Sequence, residues 1–150
     1  MLILILFFSC GNDNESIKRN LVKEFSDLKP RLDSVIKFVV NKYYIDENVR
    51  NYNRLQFVLG RRNYNKRSIF SDTVVTNNLG NTSIKDVSFE KGSFCLEKYA
   101  YDFVKFKIKA KGYQYYYVYE FCPSAQTSIS SPNFESIHLA TNWSLQIEKN

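Results

Sequence analysis

The chain has 150 residues, of which 44% are hydrophobic and 16% aromatic, and its 21 basic against 15 acidic side chains leave a net charge of +6. That aromatic load excludes a disordered polymer, and the length suits one domain able to bury about two-thirds of its unfolded surface without a disulfide scaffold. One His, three Cys and five Gly leave little for metal chemistry and no Gly-rich phosphate loop.

The only long apolar run opens the chain: Met1-Leu-Ile-Leu-Ile-Leu-Phe-Phe8, followed by Ser9-Cys10-Gly11. It is far shorter than the ~20 residues a membrane-spanning helix needs. A short h-region closing on Phe8-Ser9-Cys10-Gly11 resembles the lipobox of bacterial lipoproteins, with Leu2 directly after Met1 where that family carries Lys or Arg. The resemblance implies cleavage after Ser9 and a diacylglycerol on the Cys10 thiol. Residues 1–9 would then be a signal peptide, 10–15 a lipidated tether, and 16–150 a single domain held outside the cytoplasm in the bacterial cell envelope.

After the tether, Ile17, Leu21, Phe25, Leu28, Leu32, Val35, Val39 and Tyr43 recur at steps of three and four. That spacing predicts an amphipathic helix, capped at Ser16 and kinked or broken near Lys29, because Pro30 lacks an amide donor and its ring crowds the preceding turn. The half from Arg31 to Tyr44, through Leu32, Val35, Ile36 and Val39, is expected to carry the packing.

Beyond Tyr52 the period shortens towards two. Leu55 to Leu59 is a short apolar run, Ser68 to Thr76 is rich in β-formers, and Asn77-Asn78-Leu79-Gly80-Asn81 is a turn cluster. A two-residue turn at Lys111-Gly112 predicts a hairpin with Ile108 opposite Tyr115, Phe106 opposite Tyr117 and Val104 opposite Tyr119. The reverse face then carries Lys105, Lys107 and Lys109 against Val118, Tyr116 and Gln114, as in a sheet covered on one side. Phe134 to Leu139 and Trp143 to Ile147 close the strand order. The fold class expected is α+β: an N-terminal helix on an antiparallel sheet of about five strands. That element order resembles cystatin-like or NTF2-like folds and licenses no function.

If Cys10 carries lipid, Cys95 and Cys122 remain as an even pair in an oxidising compartment, a candidate disulfide worth ~3 kcal/mol in the chain-entropy model. Two separate buried thiols are the alternative. No catalytic, metal or cofactor site is read: His138 lies in Ile137-His138-Leu139 without a nucleophile motif, and Cys95, Cys122 and His138 lack metal-ligand spacing. One constellation stands out, Arg50, Arg54, Arg61, Arg62, Lys66 and Arg67, with no acid between Asn48 and Ser71. Arginine-rich and unopposed, it is a candidate anion-binding patch for lipid headgroups or an acidic envelope protein; a solvated strand and loop is the plainer reading. Nucleic acid is not an expected partner of an exported, tethered chain. The sequence therefore points to a non-enzymatic binding or interaction module on a lipid anchor. An enzyme accessory or weak hydrolase with a pocket between helix and sheet is the alternative.

Overall fold

The computed structural model describes residues 13–43, 52–59, 68–91, 101–122 and 128–149. Its elements in chain order are α1 (Asp13–Tyr43), β1 (Arg54–Val58), β2 (Ile69–Phe70), α2 (Thr73–Leu79), β3 (Ile84–Glu90), β4 (Phe103–Ile108), β5 (Gln114–Glu120), β6 (Ile129–Ser130), β7 (Phe134–Ala140) and β8 (Trp143–Glu148). The strands form one sheet in the order β2-β1-β3-β4-β5-β8-β7-β6. All pairings are antiparallel except β1 with β2. The architecture is thus α+β with a long helix packed on a mixed sheet.

Among the described residues eight strands stand where about five were expected. β2 and β6 are two residues each, too short to leave a period-2 signature, and Ser68 to Thr76 divides into β2 and the start of α2. The β-branched Thr73, Val74 and Val75 read as strand, but Asp72 overrides them. In extended backbone (φ −125°, ψ 133°), its Oδ1 accepts the Val74 and Val75 amides at 2.8 and 3.4 Å and starts a helix there.

The helix also departs from expectation. It begins at Asp13, so Ser16 is not its cap, and it runs unbroken through Pro30. Pro30 and Ser26 are both exposed, so the carbonyl deprived of its amide partner at residue 26 lies on the water side. Packing holds the helix on both sides of the ring: Leu21, Phe25 and Leu28 before it are buried, as are Leu32, Val35, Ile36 and Val39 after it. A helix of 31 residues is ~46 Å long. It is accommodated because eight strands at ~4.8 Å spacing make a sheet ~34 Å wide, and the helix crosses that width. Its first turns meet β5 and β7, where Tyr115 Oη donates to Asn14 Oδ1 (3.2 Å) and Lys18 pairs with Glu135 (3.1 Å). Its last residue, Tyr43, meets Phe57 of β1 edge-on at 5.3 Å between ring centres and Phe70 of β2 in a tilted contact at 5.5 Å.

The hairpin register is the one the turn dictates. Phe106 pairs with Tyr117, Val104 with Tyr119, Lys105 with Val118 and Lys107 with Tyr116. Gly112 takes φ +86°, the left-handed region a side chain resists, and a Cβ there would stand 2.6 Å from Asn14 Oδ1. The covered face buries Leu55, Phe57, Val87, Phe89, Val104, Phe106, Tyr115, Tyr117, Leu145 and Ile147 against α1. Tyr117 completes this layer by donating its hydroxyl to the Leu21 carbonyl at 2.8 Å.

Asp72 joins the two helices as well as capping α2. Its Oδ2 accepts Lys42 Nζ at 2.8 Å and Tyr43 Oη at 2.9 Å. Burial alone would raise this carboxyl's pKa, but Lys42, Tyr43 and the Val74 amide outweigh burial and hold it below the ordinary range. Asp72→Ala is therefore expected to cost about 2 kcal/mol in urea unfolding, with Asp72→Asn, which keeps the cap, losing less. Because the folded pKa is depressed, this contribution is present above the unfolded carboxylate value near pH ~4 and fades as pH falls through the folded one. The gap between wild type and Asp72→Ala should narrow in acid.

Candidate functional site: a polar groove on the reverse face of the sheet

The alternation that sends apolar residues towards α1 sends polar ones to the reverse face. Register then places residues far apart in sequence side by side. Gln56 pairs with Ser88, Ser88 with Lys105, and Lys105 with Val118. In the adjoining row Val58 pairs with Asp86, Asp86 with Lys107, and Lys107 with Tyr116. Between these rows lies a groove of about 320 Å³ walled by Arg54, Gln56, Asp86, Ser88, Glu90, Lys105, Lys107 and Tyr116.

Both signs of charge are held there in defined positions. Glu90 accepts the Ser88 hydroxyl at 3.0 Å and faces Arg54 Nε at 3.5 Å. Gln114 Oε1 accepts from Lys107 Nζ at 3.2 Å and from Tyr116 Oη at 2.6 Å. Lys105 Nζ sits 5.3 Å from the Phe103 ring centre and 5.6 Å from that of Tyr116, within cation–π range of both. Asp86 is partly buried. Desolvation raises its pKa against the pull of Lys107, Lys85 and Arg54. The Tyr116 hydroxyl is raised too, by burial first and then by Glu148 and Asp86.

The groove combines charged, polar and aromatic groups. It presents ammonium and guanidinium donors, carboxylate acceptors and an aromatic ring to a small polar ligand or a polar side of a protein. Asp86 has the upward shift a general acid uses, but Glu90 is occupied by Ser88 and Arg54, and Ser88 has no imidazole beside it. His138 is exposed on β7 and pairs in register with Ser144, two strands beyond the Tyr116 strand. No cluster of three His, Cys, Asp or Glu with metal-holding geometry occurs among the described residues. Among them also, no helix is long and apolar enough to cross a membrane.

Of the predicted anion patch, Arg54 stands at the groove rim, 56% exposed and paired with Glu90. Arg50, Arg61, Arg62, Lys66 and Arg67 lie outside the described residues, as do Cys10 and Cys95. Cys122 follows β5. The alternation of the hairpin announced Lys105, Lys107 and Tyr116. Asp86, Ser88, Glu90 and Gln56 carried no signal, because only the β1–β3–β4 register brings them together.

The middle of the helix–sheet interface is filled by apolar side chains with no exposure, among them Leu32, Val35, Phe57 and Phe106. A small cavity of about 150 Å³ opens at its N-terminal end, among Asn14, Lys18, Tyr113, Glu135 and Lys149. Burial would raise the Glu135 pKa, but Lys18 and Lys149 overcome it and keep the carboxylate charged. Comparison with known protein families, with curated proteins and with solved structures finds no match.

Proposed function

We propose that this chain is a small lipid-anchored protein of the bacterial envelope that acts as a non-enzymatic binding module through the reverse face of its sheet. The observation supporting binding is the groove around Asp86, Lys105 and Tyr116, where donors, acceptors and a ring are fixed without a nucleophile–base pair. The anchor rests on Phe8-Ser9-Cys10-Gly11. Cys95 is proposed as the partner of Cys122. The 92–100 connection leaves the sheet at Lys91 and rejoins it at Tyr101, beside the Asp102 carbonyl that accepts the Phe121 amide at 2.9 Å. A bond there would close the open end of the β4–β5 pair. The unopposed run Arg61, Arg62, Lys66, Arg67, with Arg50, is proposed to meet anionic headgroups or an acidic partner protein. By element order alone, the fold is proposed as cystatin-like or NTF2-like.

The weak-hydrolase alternative would use the cavity at the start of α1, whose Glu135 is held charged and so lacks the proton a general acid must give. One membrane preparation tests the main reading. Labelled fatty acid should enter the protein and vanish in Cys10→Ser, and non-reducing mass spectrometry of thiol-blocked material should join the Cys95 and Cys122 peptides. A photo-crosslinker at Gln56 in the groove should then capture a defined species that the same group at Lys23, on the exposed side of α1, does not. Unchanged label in Cys10→Ser would remove the anchor, and identical products from both crosslinker positions would remove the groove.

A further inference from the structure

The helix begins much closer to Cys10 than a six-residue tether implies. Three residue steps of ~3.6 Å separate Cys10 from Asp13, which bounds the distance between them at about 11 Å. Asp13 opens α1 at one particular end of the sheet. There Asn14 touches the Gly112 turn, Lys18 bonds Glu135 near the start of β7, and the Lys149 amide bonds the Asn133 carbonyl at 2.9 Å beyond β8. The opposite end carries Lys91, Cys122 and the Thr141-Asn142 turn.

Three lysines mark the near end. Lys109 and Lys111 flank Ala110 in the hairpin turn, and Lys85 shares a cavity wall with Lys109; all three are exposed and none forms an ion pair among the described residues. The carboxylates nearby are largely spoken for. Glu15 is 2.7 Å from Lys18, and Glu135 lies between Lys18 and Lys149, which leaves Asp13 as the open acid of the first turn.

We propose that this end of the domain is a docking surface for an anionic lipid bilayer: an anchor at Cys10 seats the Lys109–Gly112 turn and Lys85 against headgroups and turns the Thr141-Asn142 end outward. The inference builds on lipid attachment at Cys10, and two facts carry it further: the reach to Asp13, about 11 Å, is comparable with the Debye length of ~8 Å, and Lys85, Lys109 and Lys111 at this end form no ion pair among the described residues, Asp86 acting on Lys85 only through longer-range attraction. The groove lies on a face of the sheet rather than at this end, so such seating leaves its walls open sideways to partners.

Lysine footprinting tests the orientation separately from the anchor. The chain from Cys10 to Asn150 is attached to vesicles by its own lipid or, where intact mass shows none, by coupling Cys10 to a maleimide lipid. Acetylation rates of individual lysines are then compared on neutral phosphatidylcholine vesicles and on vesicles containing phosphatidylglycerol. On the anionic surface Lys85, Lys109 and Lys111 should react about fivefold more slowly, the factor equivalent to about 1 kcal/mol per lysine near such a membrane. Lys91, at the far end, and Lys23, on the helix exterior, should keep their rates. The double variant Lys109→Gln/Lys111→Gln alters exposed positions only and should restore the Lys85 rate. Equal protection on both vesicle types, protection at Lys91, or no protection would each overturn the proposal. Absence of native lipid with protection intact would instead overturn acylation alone.

Discussion

Val35→Asp is expected to lower unfolding free energy by about 4 kcal/mol or more, read as a fall in urea midpoint. Val35 has no exposed surface and belongs to the stripe Leu32, Val35, Ile36, Val39 that α1 buries on the sheet. Ionised there, an aspartate loses its water and finds no donor in an apolar layer; protonated, it still leaves a polar group where a branched methyl pair fitted. A domain whose whole stability is of the order of 5–15 kcal/mol would stand near its folding threshold. Val22→Asp is the matched control, since Val22 is 39% exposed on the same helix and its replacement should change stability by no more than ~0.5 kcal/mol. A Val35→Asp protein that melts like wild type would mean the stripe faces solvent.

Phe25→Ala should cost about 3–5 kcal/mol, although Phe25 lies before the proline, in the half of the helix the sequence makes look dispensable. Its ring centre lies 5.4 Å from that of Tyr117 and 5.4 Å from that of Trp143, edge-on to the latter. Trp143 extends the same cluster to Phe106 at 5.8 Å and Tyr119 at 5.2 Å. Removing the central ring would open a cavity among large, rotamer-locked neighbours that cannot collapse into it, so both transfer and cavity costs apply. Thermal or urea unfolding checks the size of the loss, and near-ultraviolet circular dichroism should show a weakened Trp143 signal. A loss below ~1 kcal/mol would show that the first half of α1 only rests on the sheet.

These two expectations mark where the sequence was readable. Steps of three and four named every buried residue of α1 except Ile36, which widens the stripe, and the Lys111-Gly112 turn predicted the β4–β5 register to the residue. Both signals are local, set by residues a few positions apart. Pro30 misled because its cost depends on which side of the helix the orphaned carbonyl faces, and that is decided by packing. The stretch from Thr73 misled because one aspartate cap outweighs several β-branched neighbours. The groove was the least legible part. It draws on four strands, and its acids come from β3, whose outward positions Asp86, Ser88 and Glu90 acquire meaning only beside Lys105 and Lys107.

The contacts that begin the chain are completed by residues near its end. Asn14 waits for Tyr115, 101 positions later, Lys18 for Glu135, 117 positions later, and the Leu21 carbonyl for Tyr117. The first half of α1 therefore has no surface to settle on until β5, β7 and β8 exist, and Leu21, Phe25 and Leu28 stay uncovered until late in synthesis, while Tyr43 at its other end can meet Phe57 and Phe70 much earlier. Such non-local closure delays folding and favours a single late, all-or-none collapse over piecewise assembly. A chain stopped at Thr141 would lack Trp143, Leu145 and Ile147 and would leave the first helix without half of its bed, so even a small C-terminal truncation should keep the whole molecule open to proteases.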